Sequence, residues 1–334
     1  MSATTKPSPA PEESGQGTAA PAISGRAVRR GDRNFASLSR ISGASVLVIM
    51  AAIAIFLIWR SIPALTSDSV NFLTYQKWTP DANPPAFGFA ALAFGTFMTA
   101  IIAMLIAVPL GMGTALCIAF YIPRRLASPM AFIVDVLAAV PSIIFGLWGL
   151  EFLMPHMLGL TEWLNDYLGF IPLFNNTQGI YTKSILIASV ILAIMILPTM
   201  SAITREVFTQ VPRSHREAAL ALGATRWEMV RMAVLPFSRP GTISAAMLAL
   251  GRALGETIAV ALMLSAAFDI NWHITEPGGN TFAANIALKW NEAGPMGLSA
   301  LVASGLMLFI ITMAVNMAAR AIIARRAAFS GSGI

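Results

Sequence analysis

Residues 250–260 read L-G-R-A-L-G-E-T-I-A-V, which puts an arginine and a glutamate inside a stretch otherwise apolar enough to lie in lipid. Taking that span as Gly241–Ala267, Arg252 sits eleven residues past its start, roughly 16 Å along a helix and close to mid-bilayer. A cation there costs about 2.5–3.5 kcal/mol on insertion scales, so the chain must offset it. On an unbroken helix Glu256 lies at i+4 and shares a face with Arg252, which predicts an ion pair. Gly251 and Gly255 have the same spacing and predict a stripe on which another helix approaches closely. Two readings follow: a structural ion pair that fixes helix packing, or a pathway for an anion. Guanidinium stays charged and offers two parallel hydrogen bonds to a tetrahedral oxyanion. The pathway reading uses Glu256 to compensate Arg252 between passages.

A second constellation covers residues 217–236, E-A-A-L-A-L-G-A-T-R-W-E-M-V-R-M-A-V-L-P, set between two apolar segments. Arg226, Glu228 and Arg231 keep it out of lipid, whereas Ala218, Ala219, Leu222, Trp227, Met229 and Val230 make it too apolar for a solvated linker. The pattern predicts two short helices hinged at Gly223 and ended by Pro236. Such an element suits a groove on a partner at the membrane surface. Glu217 is either a contact to that partner or a first-turn acid facing the helix dipole.

Of the 334 residues, 56% are hydrophobic and only 11% charged, against about 25% charged in soluble domains. A polytopic membrane protein is expected. No Lys follows a Gly, so a Walker A loop is excluded and any ATP is bound by another chain. Cys117 is the single cysteine, which excludes an intrachain disulfide. His156, His215 and His273 lack metal-ligand spacing, and G-x-S-x-G, H-E-x-x-H and C-x-x-C are absent. The residues therefore predict no catalytic group, cofactor site or metal site on this chain. They also predict no nucleic-acid footprint, because the arginines flank apolar spans and membrane orientation accounts for them.

Along the chain, residues 1–40 are rich in Pro, Ser, Gly and Ala and read as a disordered cytoplasmic tail. Residues 41–85 hold a first span, Ile41–Trp59, and an extracytoplasmic connection with Pro63, Pro80, Pro84 and Pro85. Residues 86–324 form the main membrane domain, with spans at Ala86–Tyr121, Ser128–Met154, Thr182–Val207, Gly241–Ala267 and Gly297–Ala319. The charged insert at 212–236 lies between the spans Thr182–Val207 and Gly241–Ala267, and polar outer loops cover 155–181 and 268–296. Ala86–Tyr121 reads as one kinked helix, with a span plus a re-entrant piece as the alternative. Asp135 is expected to snorkel or to cap a neighbour near the cytoplasmic edge. Residues 325–334 read as a cytoplasmic tail. Seventeen of the 22 Lys and Arg fall on the side of the termini and insert, against four opposite (Arg60, Lys77, Lys183 and Lys289), which places both termini in the cytoplasm. The expected fold class is an all-α polytopic membrane protein of six transmembrane helices.

The insert resembles the E-A-A-x(3)-G-x(9)-I-x-L-P loop of type I ABC importer permeases. Glu217, Ala218, Ala219, Gly223, Leu235 and Pro236 match, and Ala233 stands where that family usually has Ile. Three further stretches, 93–111, 139–149 and 250–260, are similar to the phosphate permeases, and G-R-A-L-G-E-T followed by I-A-V is closer to the PstC type than to the PstA type. The resemblance covers about residues 87–324. It implies a MetI-like transmembrane fold in the plasma membrane and a heterodimer with a PstA-like second permease subunit. It also implies two copies of a PstB-like ATPase that binds the ATP and Mg, and a PstS-like extracytoplasmic phosphate-binding protein. Carried onto this chain, Arg252 and Glu256 line the phosphate pathway and 212–236 contacts the ATPase. A permease for sulfate or molybdate, or a non-transporting membrane scaffold or sensor, are the alternatives.

Overall fold

The computed structural model describes residues 30–330, with side-chain surroundings over 34–321. The expected N-terminal tail lies outside the described residues up to 29, but residues 30–40 are helical: α1 runs Arg30–Ser67. Of the expected C-terminal tail, residues 331–334 lie outside the described part, and α12 (Pro295–Ser330) reaches Ser330. Residues up to Ile53 form one unit and Ala54 onward another. Among the described residues, six helical stretches are long and apolar enough to cross a membrane: Asn34–Ser67, Ala90–Tyr121, Ser142–Leu168, Ile185–Thr209, Arg226–Leu254 and Pro295–Ala321.

The second unit is built around α6 (Ile185–Thr209). Buried residues make up 72% of its apolar window, against 28% or less in the other spans, so α6 is the helix the others pack on. Its most extensive partner is α2 (Ala90–Leu116), which runs parallel to it, Gly111 against Met200. A third helix, α9 (Leu235–Leu254), packs antiparallel on α6 with Gly241 against Val207. A Cβ at Gly241 would stand 2.5 Å from Val207 Cγ1; the missing side chain is what lets these two backbones approach.

Two expected elements differ. The third span is not Ser128–Met154. The chain forms α3 (Arg124–Ala138), breaks at 139–141, and restarts as α4 (Ser142–Trp148), which leads through a π-helical turn into α5 (Met154–Leu168). Pro141 causes the break, since it disfavours helical backbone at Val140 and pre-sets the first turn of the next helix. The outer loop over 268–296 is also not irregular throughout, because α11 (Phe282–Lys289) buries Phe282, Ala283, Ala284 and Asn285. The alternative at Ala86–Tyr121 resolves into one helix, α2 plus a terminal π-turn over Cys117–Tyr121.

Three π-helical turns occur among the described residues: Cys117–Tyr121, Gly149–Leu153 and Val230–Val234. Each closes with an i→i−5 bond, donated by the amides of Ile122, Met154 and Leu235 respectively. In each case the next residue is a proline, Pro123, Pro155 or Pro236. A proline ring collides with the carbonyl four residues back in an α-helix. Where the helix continues past the proline, at Pro155 and Pro236, widening the preceding turn by one residue moves that carbonyl aside; at Pro123 the helix ends instead, with Ile122 extended at ψ 136°. At Pro63 the chain uses another device. Ala64 N–H donates to Ser299 Oγ (3.2 Å) and Ser299 O–H donates to the Arg60 carbonyl (2.7 Å), so a hydroxyl from α12 is spliced into the α1 ladder.

In the loop between α10 (Ile258–Met263) and α11, Glu276 is 4% exposed yet has no cation partner among the described residues. Its Oε1 accepts from the Thr177 amide and hydroxyl (both 2.7 Å), and its Oε2 from Gln178 Nε2 (3.2 Å) and Asn271 Nδ2 (2.5 Å). The carboxylate thereby ties the loop after α5 to the loop after residue 264. Burial pushes this carboxyl upward, but the Thr177 and Asn271 bonds and the nearby His273 outweigh it and hold it below its ordinary 4.5.

Ser299→Ala leaves the buried Ala64 amide without its acceptor. It should lower unfolding stability by about 1–3 kcal/mol, read as a lower Tm in detergent. The lowered Glu276 value means its tether is fully present above pH 4.5 and is lost as pH falls through the folded-state value. Protection factors of the amides of residues 174–181, corrected for the intrinsic exchange rate, should fall on acidification in the native chain, and in Glu276→Gln they should be low at neutral pH and insensitive to this titration.

Candidate functional site

Arg252 lies half-buried in the last turn of α9, and its Nη1 donates to Thr199 Oγ1 of α6 at 3.0 Å. The expected ion pair with Glu256 is not formed. The helix ends at Leu254, with Gly255 as its cap at φ −96° and ψ 2°. Glu256 therefore sits in a break, residues 255–257, before the short helix α10 (Ile258–Met263), and the i+4 geometry of an unbroken helix does not exist. Glu256 Oε1 instead accepts from the Ala259 amide at 3.4 Å, at the start of α10.

The break changes how the charge is held. Carbonyl groups left over at the end of α9 carry a partial negative charge, and the amides opening α10 a partial positive one. Arg252 and Glu256 each sit at the helix end of complementary sign. No carboxylate lies within ion-pair distance of Arg252 among the described residues. A helix interrupted inside the membrane, with charged groups at the two ends, is the arrangement that membrane transporters use to meet small ions.

Gly251 and Gly255 do not meet a helix of this chain. Nothing lies within 4 Å of a Cβ built on Gly251, and only carbonyls of its own helix lie near one on Gly255. With Leu248 and Ile258 exposed on either side of them in sequence, the stripe is an open apolar face. Asp135 lies on α3 and accepts both bonds of Arg205 Nη2 (3.2 and 3.3 Å), so it pairs with the C-terminal part of α6 rather than snorkelling alone.

The insert forms α7 (Arg213–Ala221) and α8 (Arg226–Met229), with Gly223 between them at φ +84°. That backbone is strained for any residue with a Cβ, which explains the glycine. Thr225 opens α8 with a reciprocal cap: its Oγ accepts the Glu228 amide, and its own amide donates to Glu228 Oε2 at 2.7 Å. Pro236 does not end the second helix. From Arg226 the helix runs through the π-turn and into α9 without interruption to Leu254, so the hinge region and Arg252 share one continuous rod. Glu217 and Ala218 are exposed, while Ala219 and Leu235 pack on a small core of Phe208, Val211, Met229, Val230 and Val234. Gly223 and Pro236 are exposed. Beside them Leu222 is 90% exposed and Trp227 55%, a bent apolar surface with no cover from this chain. Thr199 and the helix break were not expected from sequence; Gly255 followed by an acid and a threonine is the signal that could have marked them.

Comparison with known proteins agrees with this architecture. Residues 107–329 match the family described as binding-protein-dependent transport system inner membrane component. "Phosphate transport system permease protein PstC 2" of Mycobacterium tuberculosis is 44% identical over 306 residues, covering 90% of this chain and 94% of that protein. "Phosphate transport system permease protein PstC" of Mycobacterium leprae is 43% identical over 307 residues (90% and 96%), and that of Xylella fastidiosa strain 9a5c is 40% identical over 302 residues (89% and 91%). The six-span all-α architecture is the MetI-like fold of type I ABC importer permeases. With the family model spanning well over half of it and full-length relatives at this identity, the chain belongs to the inner-membrane permeases of binding-protein-dependent transport systems, in their PstC branch.

Proposed function

We propose that this chain is the transmembrane permease subunit of an ATP-driven inorganic phosphate importer and moves phosphate inward by alternating access. The observation that carries this reading is Arg252: a cation in a spanning helix, at a helix break, held by a neutral hydroxyl and helix-end dipoles rather than by a carboxylate. An oxyanion with a full negative charge competes well against such partial charges, so the guanidinium can accept it and relinquish it. Glu256, at the opposite end of the break, bounds the station and repels the anion toward Arg252. The relatives named for phosphate transport support phosphate as cargo.

The rest of the chain fits an assembly. The open face around Gly251, Gly255, Leu248 and Ile258 suits a second, PstA-like permease subunit. The bent surface of Glu217, Ala218, Leu222 and Trp227 suits a groove on a PstB-like ATPase, one of two copies, which supplies ATP and Mg. The loops over 68–89 and 169–184, with 265–281, suit docking of a PstS-like phosphate-binding protein. No cofactor belongs to this chain in this reading, and both termini face the cytoplasm of a cell bounded by the plasma membrane.

Reconstitution with these partners should give ATP-dependent uptake of labelled phosphate that excess sulfate does not suppress; equal competition by sulfate would assign the other oxyanion. Arg252→Gln should reduce uptake by roughly 10- to 100-fold, the ~1.5–3 kcal/mol of a charge-assisted hydrogen bond, with assembly intact. Wild-type uptake by that variant would refute the station. Gly223→Pro, which cannot adopt φ +84°, and Glu217→Lys should both lower co-purification of the ATPase while the chain still inserts.

A further inference from the structure

The outermost helix of the insert is held by two side chains of unlike kind. None of the residues of α7 is buried, yet Arg216 places its Cζ 5.8 Å over the Phe120 ring. Its Nε is buried with no hydrogen-bond partner, so the ring face is the named partner of that guanidinium. Phe120 in turn meets Phe208 of α6 at 6.3 Å. The neighbouring residue, His215, meets Phe237 of α9 edge-on, 5.9 Å between centroids at 86°. Ala219, the third attachment, is a small apolar contact that permits sliding.

Both contacts land on or beside a π-helical turn. Phe120 lies within Cys117–Tyr121, and Phe237 lies just beyond Val230–Val234. A π-turn holds one residue more than an α-turn. Shifting its closing bond from i−5 to i−4 displaces the helix beyond it by about 1.5 Å and turns it by about 100°. On one route the helix beyond is α9, which carries Arg252. On the other, Phe120 bears on Phe208 of α6, the helix that carries Thr199. The two routes end on the two partners of the 3.0 Å Arg252–Thr199 bond.

We propose that the motor's stroke on α7 divides between these routes, Arg216 to Phe120 and His215 to Phe237, and separates Arg252 from Thr199 by moving their helices independently. This rests on the reading that α7 and α8 dock an ATPase. Phe120 and Phe237 are positioning residues: they act through the helices and touch no cargo.

The test uses the whole complex in proteoliposomes with Phe120→Leu, Phe237→Leu, the double variant, and Phe237→Tyr as the conservative control. ATPase co-purification and basal hydrolysis should stay within about twofold of the parent. Phosphate taken up per ATP should fall about tenfold in each leucine variant and be retained in Phe237→Tyr. A merely structural role would lower the amount of complex and leave that ratio unchanged, which would overturn the proposal. A second readout is independent of cargo. In a Cys117→Ser background, spin labels at Arg239→Cys and Ile101→Cys, both exposed, should change separation on ATP addition in the parent and not in the double variant. If the parent moves no phosphate but the separation still changes, the cargo assignment fails and the transmission stands. If the double variant retains the change, the transmission fails.

Discussion

The hold on Arg252 decides what the rest of the molecule must be. In the proposed phosphate pathway a carboxylate partner would neutralise the guanidinium fully and would have to be stripped away each time an anion arrived. A hydroxyl at 3.0 Å and the carbonyl end of a helix supply only part of a charge, which stabilises the cation in a poor solvent while leaving it competitive for a complete one. That balance requires the helix to stop where it does. Gly255 ends α9, Glu256 turns to the amides of α10, and the spanning path continues only after the break. It also requires α6 to be central, because Thr199 is the neighbour against which Arg252 is positioned. The burial of α6 on nearly all sides meets that requirement.

Prolines set where these helices can yield. Each of the three π-turns is followed, one residue after its closing amide, by a proline, and at Pro155 and Pro236, where the helix continues, the ring's conflict with the carbonyl four residues earlier is the physical reason. Pro109, Pro198 and Pro240 lie inside helices without such a turn, so proline alone is not sufficient. At Pro63 the gap is filled from outside by Ser299. The same residue type thus marks a compliant joint in one place and a cross-braced one in another.

Much of this was legible in the sequence, and the rest was not for identifiable reasons. Hydropathy finds six spans because lipid demands apolar length, and the insert stands out because its charges cannot enter lipid. The φ of Gly223 follows from its place between two helical periods. The failures share one cause: periodicity and composition report where a chain may be apolar, not where its hydrogen-bond ladder is interrupted. Ser128–Met154 is apolar enough to read as one span but is cut at 139–141. Gly241–Ala267 is cut at 255–257, so two charges four residues apart never share a face. Pro236 was read as a stop because the compensating π-turn leaves no compositional trace. Glu256 alone would have been assigned the wrong neighbour by any rule based on spacing.

The glycine stripe at Gly251 and Gly255 has a consequence for the life of the polypeptide before it works. Without side chains there, and with Leu248 and Ile258 bare alongside, an unpaired copy leaves a charged residue next to an uncovered backbone groove within the bilayer. A second helix laid along that groove would cover the bare backbone and the two apolar side chains at once, because only glycine lets two backbones come that near.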